Sequence, residues 1–161
     1  MSDKALSEQQ LVAAAIDPDA FGAAQLAHIL NANSAESSHQ SAFDCLELWG
    51  NYPDHIEPLF AAAKLLYERG NAHLGLMVAE YATTMRERPR GNAQWPLFEE
   101  ATGWQLDLLY ARLLVLVGRA TEAMAHYGSV LAECGTALRR QLADEVASVA
   151  RQLPLCDVRS A

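Results

Sequence analysis

The sequence predicts an all-α protein. Three observations carry the prediction. The chain of 161 residues is 51% hydrophobic and 20% charged, rich in alanine and leucine, with nine glycines and six prolines; good helix formers outnumber breakers. Apolar residues recur at three- and four-residue spacing almost throughout. No stretch alternates apolar and polar residues as a half-buried strand does.

The elements follow in order. Leu6, Leu11, Ala14 and Ala15 suggest a short first helix with Ser7 as N-cap. Asp17-Pro18 breaks it, because proline disfavours the α region in the residue before it and suits the first turn of a new helix. Phe21, Leu26, Ile29 and Leu30 mark the second helix, and the polar NANSAESS interrupts the pattern. Phe43, Leu46 and Trp49 carry a third, stopped by Gly50 and Pro53. Pro58 opens a fourth whose face is Leu59, Ala62, Ala63 and Leu66, and Gly70-Asn71 ends it as a left-handed cap does. Leu74, Met77, Val78 and Tyr81 give a fifth, to about Arg88. Residues 89–103, PRGNAQWPLFEEATG, read as an inserted loop rich in breakers. Trp104 to Val117 make a sixth helix, Ala120 to Glu133 a seventh after Gly118, and Leu138 to Leu153 an eighth.

Charge and cysteine usage exclude several function classes. Twelve basic residues stand against twenty acidic ones, a net charge of −8. Residues 1–60 hold nine acids and one base, Lys4; residues 61–161 hold eleven of each. An acidic chain lacks the field that supplies most nucleic-acid affinity, so no nucleic-acid partner is expected. Cys45, Cys134 and Cys156 are odd in number and show no CxxC spacing, which suits reduced thiols and a cytoplasmic setting. The start MSDKALSEQQL has no apolar run after a basic residue, and Leu106 to Val117 is too short and too charged to span a bilayer.

No catalytic, cofactor or metal site is evident. His28, His39, His55, His73 and His126 form no HxxxH or HExxH spacing. Asp17 and Asp19 sit at a helix start, where capping explains them better than a metal does. The stretch GRATEAMAHY at 118–127 holds an Arg, a Glu and a His, yet a turn followed by a helix accounts for every residue in it. Arg119 and Glu122 stand three apart, where they pair across a helical turn.

The strongest long-range signal is a repeat. Aligning LLYERGNAHLGLMVAEYATTM with LLVLVGRATEAMAHYGSVLAE on Gly70 and Gly118 places Gly75 on Ala123, Ala79 on Tyr127 and Ala82 on Val130. Together with Pro53 in NYPDHIEPL, these positions resemble the tetratricopeptide-repeat family over residues 22–137. The resemblance implies a short α-solenoid of antiparallel helix pairs, about eight helices, within one domain over 1–161. Its parts are an N-terminal helix (1–20), a degenerate repeat (22–55), a repeat (56–88), the inserted loop (89–103), a second repeat (104–137) and a C-terminal capping helix (138–153). Gly70 and Gly118 are 48 residues apart, so the 34-residue frame carries a 14-residue insertion. Leu97, Phe98, Glu100, Trp104, Gly118 and Arg119, with Glu57, Pro58, Leu59 and Phe60, are similar to the repeat module attached to bacterial family 2 glycosyltransferases. Their catalytic half has no counterpart here.

Function is therefore expected in a binding surface. The repeat frame puts Lys64, Tyr67, Gln105 and Arg112 in a concave groove, with Leu108 and Tyr110 as alternatives if the register slips by one. Arg86, Arg88, Arg90 and Trp95 form a second candidate around the inserted loop, since Arg and Trp dominate binding hot spots. The reading is a non-catalytic scaffold for a protein or peptide, in the setting of bacterial glycosyl transfer or surface polysaccharide assembly that the resemblance implies. Two alternatives stand beside it: a small-ligand protein or enzyme accessory gripping an anion with the Arg/Trp loop, and a self-associating homodimer.

Overall fold

The computed structural model describes residues 17–32, 38–86 and 95–153. Among them lie eight α-helices and no strand, so the chain is all-α. The helices are α1 (Pro18–Ala32), α2 (Ser38–Asn51), α3 (Glu57–Glu68), α4 (Ala72–Met85), α5 (Phe98–Thr102), α6 (Trp104–Leu116), α7 (Ala120–Glu133) and α8 (Thr136–Ala150). The helix expected over Leu6 to Ala15 lies outside the described residues, as do Arg88 and Arg90.

Each long helix packs on the next: α1 on α2, α2 on α3, α3 on α4, α4 on α6, α6 on α7 and α7 on α8. The helices α3 and α6 also meet each other, and short α5 rests on both. Two turns make this row possible. At the end of α3, Gly70 lies at φ +73°, the Asn71 N–H donates to Leu66 O at 2.9 Å and the Gly70 N–H to Tyr67 O at 3.0 Å. At the end of α6, Gly118 lies at φ +82°, the Arg119 N–H donates to Leu114 O at 2.8 Å and the Gly118 N–H to Val115 O at 3.0 Å. Both are the same Schellman termination, which occupies orphan carbonyls and turns the chain back on itself. The two hairpins α3–α4 and α6–α7 thus repeat one local design.

The core runs along the row. Ala61, Ala62 and Ala63 of α3, Ala79 and Ala82 of α4, Ala111 of α6 and Ala123 of α7 are all buried. Small residues let helix axes approach closely. A Cβ on Gly75 would lie 3.0 Å from Leu113 Cδ2 and 3.4 Å from Leu66 Cβ, so α4 presses on α3 and α6 at once. On α8, Leu142 and Val149 are buried, and Leu138 and Val146 pack against the core.

The repeat frame puts Ser41, Cys45 and Leu48 at packing positions of α2, and all three are buried beside Ala42, while Phe43 is half exposed and Leu46 and Trp49 are partly covered. Two sequence expectations shift. The inserted loop is not wholly irregular: Phe98–Thr102 is a helical turn with Glu99 and Glu100 at its start. The last helix begins two residues earlier than Leu138 and ends at Ala150.

Candidate functional site

Where α3 and α6 lie side by side, α5 closes one end and leaves a groove of about 330 Å³. From α3 come Phe60, Lys64, Tyr67 and Glu68; from α5 and the residue before it, Leu97 and Glu100; from α6, Trp104, Gln105, Leu108, Leu109 and Arg112. Phe60, Leu108 and Leu109 are buried and form the apolar floor, while Lys64 and Glu68 are exposed at the rim. The four groove residues expected from the repeat frame, Lys64, Tyr67, Gln105 and Arg112, all line this hollow. Of the two register alternatives, Leu108 lines it, while Tyr110 faces away and meets the His126 ring edge-on at 4.6 Å.

Backbone geometry marks the α5 wall. Leu97 lies at φ +64°, the one non-glycine residue with positive φ among the described residues. A left-handed conformation costs a side-chain-bearing residue about 1–2 kcal/mol. The surrounding structure therefore holds Leu97 in place against the groove.

Arg112 is fixed from outside the groove by α8. Its Nε and a terminal N–H donate to the two Glu145 oxygens, each at 2.9 Å, and the Tyr127 hydroxyl donates to Glu145 Oε1 at 2.5 Å. The Arg112 hydrogen bonds hold the Glu145 carboxyl below its ordinary range, against burial, which pushes it up. Burial, then Glu145, raises the Tyr127 hydroxyl. The Glu145 hydrogen bonds raise Arg112, against burial, which lowers it. A second hollow of about 180 Å³ lies beside this network and shares Tyr67 and Arg112 with the groove.

The loop candidates are placed differently. Trp95 is 3% exposed and stacks on His55, so it belongs to the core and cannot meet a partner at the surface. Arg86 donates to both oxygens of buried Asp107, at 2.6 and 3.2 Å, and His126 Nδ1 stands 3.4 Å from the same carboxylate. Arg86 is thus bound within the fold, linking α4 to α6. Arg119 and Glu122 form the expected pair at the start of α7, and Asp17 caps α1 by accepting the Asp19 N–H at 3.0 Å. The sequence reading did not name Glu145 or Glu68, and it named Leu97 and Glu100 for the resemblance without placing them in the groove. Nothing in the sequence links Arg112 to a partner 33 residues away, but Pro96 followed by Leu-Phe-Glu-Glu is a helix-start signal that marks α5.

Cys45 is buried, and that burial, with Asp44 beside it, pushes its thiol up to about 12. Among the described residues no group of three or more His, Cys, Asp or Glu is arranged to hold a metal, and no helix is long and apolar enough to cross a membrane.

Comparison with known proteins finds no matching family model, no matching characterised protein and no matching solved structure.

Proposed function

We propose that the protein is a non-catalytic scaffold that docks a protein or peptide segment in the groove between α3 and α6. One observation carries this reading: an apolar floor of Phe60, Leu108 and Leu109, flanked by Tyr67 and Trp104, with exposed Lys64 and Glu68 at its rim. That is the anatomy of a recognition site, with aromatic anchors inside and charge outside. The strained Leu97 on the same wall supports it, since strain of this kind concentrates at clamps for ligands. The resemblance to tetratricopeptide repeats points the same way, since helical repeats present such a groove to partners. Through the glycosyltransferase-associated subtype it suggests a role in bacterial glycosyl transfer or surface polysaccharide assembly. The reading in which the Arg/Trp loop grips an anion draws no support from Trp95 or Arg86, both occupied within the fold.

The test is panning of a displayed random-peptide library on the whole chain, set beside Gln105→Trp, which fills the groove from a half-exposed position. Circular dichroism confirms that the variant folds. Sequences enriched on the wild type and lost on the variant support the reading. Enrichment that ignores the substitution, or none at all, rejects it.

A further inference from the structure

Building on the groove reading, we infer that the docked segment is a peptide carrying a lysine or arginine beside its apolar anchor. The argument is a balance of free charge. Two cations and two carboxylates line the groove, but they are not equally available. The Arg112 charge is already met by both oxygens of Glu145. Lys64 is exposed on α3 and makes no ion pair among the described residues. Glu68, one turn further along α3, and Glu100, on α5 across the end of the groove, are likewise without an ion pair among the described residues. Among the described residues that line the groove, the free charge is thus one positive against two negative, in a chain of net charge −8.

Placement reinforces the count. Glu68 and Glu100 line the same groove from different helices, so its negative charge is not confined to one wall. A lysine or arginine lays its methylenes on an apolar floor while its charged end reaches the rim, which matches Phe60 and Leu108 below and carboxylates above. An acidic segment would meet both glutamates and find Lys64 as its free counter-charge. Rim charges of this kind set partner choice more than raw affinity. Each exposed pair contributes modestly, so the expected discrimination is moderate.

The experiment uses three pools of synthetic peptides of about twelve residues, randomised among apolar residues around a fixed central Lys, Gln or Glu. Fluorescence anisotropy measures their binding to the whole chain, to Glu68→Gln/Glu100→Gln and to Gln105→Trp. At low salt the Lys pool is expected to bind about tenfold tighter than the Glu pool, with the Gln pool between them. The preference is expected to shrink to about threefold or less in the double variant and in about 0.5 M salt, where exposed charges are screened. Equal binding of all pools that Gln105→Trp abolishes overturns the charge inference and leaves the groove reading standing. Tighter binding of the Glu pool overturns it in favour of an acidic partner at Lys64. Binding that Gln105→Trp does not affect, or no binding of any pool, overturns both.

Discussion

The imidazole of His55 lies flat against the indole of Trp95, ring centroids 4.1 Å apart and planes inclined by 22°. Tyr52 meets the same indole edge-on at 5.4 Å, and a Cβ on Gly22 would lie 2.5 Å from its ring. The Asp19 and Glu57 carboxylates stand 3.5 and 3.6 Å from the two His55 nitrogens. Trp95 therefore fastens the segment leading into α5 onto α1 and the α2–α3 junction. That placement turns a residue of hot-spot type into a structural plug.

Removing the plug should leave a cavity that the surrounding helices cannot fill. Trp95→Ala is expected to destabilise the chain by about 3–5 kcal/mol, the range for a buried large aromatic. Gly22→Ala should also destabilise, because the new methyl forces the indole to move. Urea unfolding followed by circular dichroism measures both. An unchanged midpoint for Trp95→Ala would contradict its burial.

The bond between Arg86 and Asp107 can be tested as a pair. Asp107 is 6% exposed and accepts from Arg86 and faces His126, so Asp107→Ala strands an arginine at the α4–α6 seam. A double-mutant cycle with Arg86→Ala is expected to give a coupling of about 2 kcal/mol, as for a partly buried charged hydrogen bond. A coupling near zero would release Arg86 for a ligand, which is the opposite of its present role.

Glycine substitutions should change sign with backbone conformation. At Gly70 and Gly118 a Cβ meets nothing within 4 Å, so the cost of alanine is purely that of a left-handed φ. Each Gly→Ala is expected to destabilise by about 1 kcal/mol, and Gly118→Asn by less. Gly128 also has open space around it but lies inside α7. There the same change is expected to stabilise by about 0.5–1 kcal/mol, through helix propensity. Thermal melts of the three alanine variants decide the matter, and a uniform sign would sink the argument.

These positions also show which parts of the molecule a sequence displays. Gly70 and Gly118 were legible because a left-handed cap has a strong residue preference, and α7 was legible to the residue because such a cap precedes it. Lys64, Tyr67, Gln105 and Arg112 could be brought together because the repeat frame converts position along the chain into a face of a helix. Trp95 was not legible: an aromatic in a breaker-rich loop looks the same whether it plugs a core or meets a partner, and only the position of Gly22 and His55 decides. On α2 the repeat frame was again enough: it separates Ser41, Cys45 and Leu48, which are buried, from the larger Phe43, which is half exposed. Glu145 lay beyond reach because its bond to Arg112 depends on how α8 crosses α6 and α7.

That bond makes stability depend on pH in a defined direction. Arg112 holds Glu145 below its ordinary value of 4.5, so the folded state favours the ionised carboxyl. A depressed acid contributes stability that is fully present above its unfolded value and is lost as pH falls from about 4.5 through the lower native value. Glu145→Gln is expected to lower stability by about 1 kcal/mol at neutral pH, a modest figure because both side chains are near one-third exposed. The gap to the wild type should close as pH falls below 4. Tyr127 gives the opposite limb. Burial and Glu145 raise its hydroxyl above 10.0, so its contribution is present below pH 10 and lost as pH rises through the higher native value. Tyr127→Phe should therefore flatten the alkaline limb and leave the acid limb largely intact. Urea midpoints for the wild type and both variants between pH 3 and pH 11 measure this. A gap for Glu145→Gln that persists unchanged at pH 3 would show that its role is packing rather than charge.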